Sequence, residues 1–136
     1  MTTTTKARDA EFIAICLDIM RRNARSGREC PLGEVIDEAL HRRPRCHYVS
    51  YDHASRTLHA LERHGAPPCD STLQRLKWLE LYNQVKECME GPRALPFGKA
   101  LSFVLGFMRP SRFYIDPSRA MRLLRPRLGY HYFIRG

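Results

Sequence analysis

Acidic residues are scarce in this sequence. It contains 14 Asp and Glu against 23 Lys and Arg in 136 residues, so its formal net charge at pH 7 is +9. The imbalance lies mainly in the second half, because residues 67–136 hold 12 basic and 5 acidic residues whereas residues 1–66 hold 11 and 9. A basic surface attracts polyanions, and the composition therefore favours nucleic acid as a partner.

Long apolar segments are also missing. The longest, residues 100–108, spans nine residues and is too short to cross a bilayer. The apolar run 12–17 ends at Asp18 and is too short for the core of a signal peptide. We therefore expect no membrane partner and a cytoplasmic location, with residues 1–7 forming a flexible N-terminal tail.

Sequence features of metal sites and of common enzymes are lacking. The five cysteines are an odd number without a C-x-x-C pair, which predicts neither a disulfide framework nor a zinc site. The sequence has no Gly-rich phosphate loop. We expect no cofactor, no metal and no enzymatic activity.

What the chain does contain is an internal repeat. Residues 31–36 read PLGEVI and residues 96–101 read PFGKAL, 65 positions later. Residues 44–50 read PRCHYVS and residues 110–116 read PSRFYID, 66 positions later. This recurrence predicts an internal duplication.

The repeat predicts the domain organisation. A first repeat unit over residues 8–66 is followed by a second over residues 67–129 and by an aromatic C-terminal tail, residues 130–136. Each repeat alone would bury a marginal core, so we expect the two units to pack as one compact domain.

Each repeat is predicted to contain three helices, about six in all, in a mainly α fold. Apolar residues within 10–25 recur at spacings of three and four, the period of one helical face. Ser50 and Asp116 are typical N-cap residues for the third helices, which we expect over residues 51–63 and 117–125.

The sequence also predicts how two other parts of the chain pack. The short aromatic and β-branched segments 47–49 and 113–115 could pair as a minor two-stranded β ribbon. The helix after Pro96 is apolar nearly all round because it includes Phe103 and Phe107, and we expect it at the centre of the fold.

The third helices place basic residues on one side. In the second repeat the spacing i, i+3, i+6 puts Arg119, Arg122 and Arg125 opposite the apolar residues. In the first repeat the corresponding outer side carries His53, Arg56, His59 and Arg63. The histidines add positive charge only near or below about pH 6.5, so the second repeat should dominate at neutral pH.

The order of helices, with an N-capped and basic second member, resembles a helix-turn-helix unit over residues 31–63 and 96–125. This resemblance implies that the third helix contacts base edges and phosphates in the major groove of DNA. The connection of about seven residues, 44–50, is longer than the three or four residues of the tight motif.

The sequence therefore predicts a non-enzymatic nucleic-acid-binding protein, DNA-binding in particular, of accessory or regulatory type. Its contacts would come from the two basic sides, with Arg109 and Arg112 holding backbone phosphates. Two alternatives stay open. The arginines could be an ordinary solvated surface in an arginine-rich chain, or the protein could be a protein-interaction module or homodimeric structural protein.

Overall fold

The structure, a computed structural model, describes residues 2–128 and is mainly helical, as predicted. The predicted C-terminal tail, residues 130–136, lies outside the described residues. The described residues form six α-helices, α1 (Thr3–Arg25), α2 (Leu32–Leu40), α3 (Tyr51–His64), α4 (Thr72–Glu90), α5 (Phe97–Phe107) and α6 (Pro117–Leu124). A short 3-10 helix, Arg125–Arg127, follows α6 directly.

The first helix begins earlier than its apolar pattern indicates. Helix α1 starts at Thr3, so residues 3–7, which we expected to be a flexible tail, are helical. The Thr2 hydroxyl accepts a hydrogen bond from the Thr5 N–H at 3.2 Å. This N-cap supplies a partner for one of the amide groups left open at the start of the helix.

The helices form two compact units that do not follow the order of the repeats. One unit combines the chain up to Arg42 with the chain from Ser111 onward, and the other is the continuous segment 43–110. The first unit therefore holds α1, α2 and α6, and the second holds α3, α4 and α5. The chain therefore passes from one unit to the other at two positions, after Arg42 and after Pro110.

This division separates helices that are neighbours in the sequence. Helices α2 and α3 belong to different units, and so do α5 and α6. The helix-turn-helix resemblance required each of these consecutive pairs to pack as one motif. Instead, α6 packs against α1 and α2, while α3 packs against α4 and α5.

The core of the first unit joins residues that are distant in the sequence. Phe12 of α1 contacts Phe113 in the segment before α6, with the ring centroids 5.6 Å apart and the ring planes 68° from parallel. The Phe113 N–H donates to the Leu40 carbonyl at 2.9 Å. Ala120 and Leu124 of α6 are fully buried in the same cluster.

The core of the second unit is built from three amphipathic helices. The buried side chains of α3 meet those of α4 and α5, and this cluster contains Ala54, Leu58, Leu61, Trp78, Leu81, Val85, Ala100, Leu101 and Val104. Gly65 ends α3 with a φ of 73°, a left-handed conformation in which glycine carries no Cβ penalty. Phe103 and Phe107 are exposed, although we expected this helix, apolar nearly all round, to lie at the centre of the fold.

The predicted β ribbon does not form, because no strand is present within residues 2–128. Segments 47–49 and 113–115 are instead fixed by separate interactions. Phe113 and Ile115 lie in the core of the first unit, whereas His47 is buried in the second unit and hydrogen-bonded to Gln84. None of the helices in this part of the chain is long and apolar enough to span a membrane.

Two arginines at the same position of each repeat make reciprocal hydrogen bonds. Arg43 donates through Nε to the Pro110 carbonyl at 3.3 Å and through a terminal nitrogen to the Arg109 carbonyl at 3.1 Å. Arg109 donates in return to the carbonyls of Pro44 and Arg43, both at 2.7 Å. The two connecting segments are thereby held side by side at residues 43–44 and 109–110.

Candidate nucleic-acid interface

Helix α6 separates an apolar side from a basic side. Asp116 caps its N-terminus by accepting from the Ser118 N–H at 3.1 Å and from the Ser118 hydroxyl. The hydrogen bond from Ser118 holds the pKa of the Asp116 carboxyl below its usual value. The cap is the only carboxylate in the segment 116–128, so basic residues dominate beyond the first turn.

Arg119, predicted to contact nucleic acid, is engaged in an ion pair within the protein. Its guanidinium lies 3.1 Å from Asp9 Oδ2, and Asp9 is only 5% exposed. The other oxygen of Asp9 accepts from Arg8 Nε at 3.1 Å and from an Arg8 terminal nitrogen at 2.9 Å. Arg119 thus attaches α6 to α1, because a buried carboxylate requires such partners.

The other two arginines predicted on this side, Arg122 of α6 and Arg125 of the 3-10 helix, are exposed. Within residues 2–128, Arg122 and Arg125 make no ion pair or side-chain hydrogen bond. Arg125 keeps a helical backbone, with φ of −49° and ψ of −45°, so it lies one turn beyond Arg122. These two side chains remain together on the basic side after Arg119 is assigned to Asp9.

Arg127 joins this exposed group, although we did not single it out from the sequence. It lies in the 3-10 helix that continues α6, and it is exposed without an ion pair among the described residues. The signal was present in the sequence, since Arg122, Arg125 and Arg127 fall within six residues that contain no acid. We call these three residues the α6 arginine group.

The arginines expected to hold phosphates from the segment before α6 bind the protein backbone. Arg109 donates to the carbonyls of Arg43 and Pro44, as described above. Arg112 donates through Nε to the Phe113 carbonyl at 3.1 Å, and its guanidinium lies 5.6 Å from the centre of the Tyr114 ring. Both side chains therefore have structural contacts that limit their reach toward a ligand.

The two histidines of α3 that we predicted to contact nucleic acid lie against aromatic rings. His53 meets Trp78 edge to face, with ring centroids 5.2 Å apart, and its pKa is lowered by burial and by the charges of Lys77 and Arg56. The His59 ring lies 4.6 Å from Phe97, and its Nδ1 donates to the Ser55 carbonyl at 2.8 Å. The lowered pKa reduces the positive charge of His53 further at neutral pH.

Arg56 and Arg63 of α3 are exposed and make no ion pair within the described part of the chain. Carboxylates lie on the same helix, because Asp52 is exposed in its first turn and Glu62 pairs with Lys86 at 3.4 Å. The Tyr82 hydroxyl also donates to Glu62 at 2.7 Å. The basic side of α3 therefore carries mixed charge, unlike that of α6.

The part of the chain that the structure describes contains no group of three or more His, Cys, Asp and Glu placed to hold a metal ion. Its nucleophilic side chains include Cys16, which is fully buried, and burial raises the pKa of its thiol to about 12.

No family model matches the chain, and it has no significant match among curated proteins or among solved structures.

Proposed function

We propose that the chain is a non-enzymatic nucleic-acid-binding protein, of accessory or regulatory type, whose α6 arginine group contacts the phosphate backbone. One observation carries the proposal: three exposed arginines follow each other in a segment without carboxylates, and none has an ion pair within residues 2–128. Ordinary solvated helices mix charges and gain from i, i+4 pairs. A segment whose exposed charges are arginines alone instead favours a polyanion.

Arginine suits this role because its planar guanidinium donates several hydrogen bonds in a fork that fits phosphate oxygens. Of the 23 basic residues in the chain, 19 are arginines. Each phosphate that is neutralised releases condensed counterions, so affinity should fall steeply with salt. We propose double-stranded DNA as one target, with Arg56 and Arg63 of α3 as a weaker second contact.

We infer in addition that the chain arose by internal duplication. Three features support the inference. Helices α1, α2 and α3 correspond in sequence to α4, α5 and α6, and each unit combines two helices of one repeat with the third helix of the other. Arg43 and Arg109, at corresponding positions of the repeats, also make reciprocal hydrogen bonds. An ancestor of one repeat would then have required two copies, each completing the core of the other.

The binding proposal is tested by fluorescence anisotropy of a labelled DNA duplex with the full chain at several salt concentrations. The variant R122Q/R125Q/R127Q should bind roughly tenfold to a hundredfold more weakly, and the slope of log affinity against log salt should decrease by about one per lost contact. Arg119 is left intact because its loss would disturb the ion pair with Asp9.

The matched control is K6Q/R28Q/R93Q, which removes the same charge from three exposed residues outside the α6 arginine group. We expect it to retain most of the affinity and of the salt slope. If both triple variants lost the same affinity, binding would depend on the net charge of the chain and not on the α6 arginine group. A wild-type chain that does not bind, or an unchanged affinity in R122Q/R125Q/R127Q, would overturn the proposal.

A further inference from the structure

The most exposed large apolar side chain among the described residues is at the end of α5. Phe107 is 79% exposed and Phe103, one turn earlier, is 36% exposed. Their ring centroids lie 5.3 Å apart, with the planes 36° from parallel. The buried residues of α5 are Ala100, Leu101 and Val104. The two rings therefore form an aromatic surface that the core of the second unit does not use.

A lysine extends this aromatic surface along the helix. Lys99, Phe103 and Phe107 follow at i, i+4 and i+8, so they share one side of α5. Lys99 is exposed and has no ion pair within the described residues. We call these three residues the α5 ridge.

The segment that carries the α5 ridge has basic residues and no acidic ones. Residues 91–110 of the second unit contain Arg93, Lys99 and Arg109 and no Asp or Glu. A second copy of this chain would bring its own net charge of +9 to such a contact. The complementary partner is an anion that also offers apolar flat groups.

Single-stranded nucleic acid has both properties. Its bases present unpaired aromatic faces, which stack on aromatic side chains of proteins, and its phosphates pair with neighbouring cations. In a duplex the same faces are covered by adjacent base pairs. On the basis of the proposed nucleic-acid binding, we propose that the α5 ridge stacks on unpaired bases, with Lys99 at an adjacent phosphate.

The test compares a labelled oligothymidylate with a labelled duplex of equal length, using the full chain in each case. The variant F103L/F107L keeps apolar side chains but removes the aromatic rings. We expect it to bind the oligothymidylate about tenfold more weakly, because stacking of each base contributes on that scale. Its affinity for the duplex and the salt slope for both probes should stay within twofold of the wild type.

The control L76A shortens another exposed apolar side chain, on α4 of the same unit, and should leave both affinities unchanged. An unchanged affinity of F103L/F107L for oligothymidylate, or an equal loss for both probes, would overturn the assignment of the ridge. So would sedimentation showing that the wild type self-associates through these phenylalanines. Failure of the proposed function gives a different result, since R122Q/R125Q/R127Q would then retain its affinity for the duplex.

Discussion

At the scale of single residues, His47 is a buried group whose protonation the fold opposes. It is 7% exposed, and its Nε2 is hydrogen-bonded to Gln84 Oε1. The Gln84 amide nitrogen donates to the Arg109 carbonyl at 3.0 Å, which fixes the orientation of the amide and makes His47 the donor. Burial lowers the pKa of His47, and this effect exceeds that of the Gln84 hydrogen bond, which raises it.

This lowered pKa predicts a loss of stability in mild acid. Unfolded His47 takes up a proton near about pH 6.5, whereas folded His47 does so at lower pH. Between these values the unfolded state binds more protons, so the free energy of unfolding falls as the pH decreases. Urea unfolding of the wild type should show this fall between neutral pH and about pH 5, and His47→Gln should show a smaller one.

The control for this experiment is His64→Gln, which replaces an exposed histidine at the end of α3. It should keep the pH dependence of the wild type. Some dependence should remain in His47→Gln as well, since the pKa of His53 is also lowered. If His47→Gln loses as much stability on acidification as the wild type does, the dependence comes from other groups.

At the scale of the helix, α6 depends on its tertiary contacts. It has eight residues, fewer than an isolated helix needs for stability in water. Its attachment to the first unit comes from the buried Ala120 and Leu124 and from the ion pair between Arg119 and Asp9. Arg122 is therefore positioned by contacts on the other side of α6, and Arg125 and Arg127 follow in the 3-10 helix that continues it.

A double-mutant cycle measures the ionic part of this attachment. Asp9→Asn should lower the free energy of unfolding by about 2 kcal/mol, because two arginines lose a buried carboxylate. Arg119→Gln should also destabilise, and the double variant should lose less than the sum of the two. Urea unfolding gives the values, with the exposed Asp18→Asn as control. Additive losses would show that the two side chains do not interact energetically.

Local patterns in the sequence predicted the helices themselves. The spacing of apolar residues and the caps at Ser50 and Asp116 placed α3 and α6 within one residue of their observed bounds. The same patterns could not predict which helices α3 and α6 pack against, because α3 and α6 have similar apolar sides and similar connecting segments. The ion pair of Arg119 was hidden for the same reason, since Asp9 lies 110 positions away in the sequence.

At the scale of the whole molecule, the three helices that form each core do not all come from the same half of the chain. Residues 1–66 contain α1, α2 and α3 but lack α6, which completes the core of the first unit. Residues 67–136 contain α4 and α5 but lack α3, which supplies Ala54, Leu58 and Leu61 to the second core. The continuous segment 43–110, by contrast, holds every helix of its own unit.

Three fragments of nearly equal length therefore differ in what they can bury. Fragment 43–110 should fold as a cooperative helical monomer, because its buried apolar cluster is complete. Fragments 1–66 and 67–136, cut in the loop between α3 and α4, should each fail to do so as monomers. Mixing these two should restore helical circular dichroism and a cooperative thermal transition, since each supplies the third helix that the other needs. Cooperative unfolding of monomeric 1–66 by itself would show that α3 can complete the core of the first unit in place of α6.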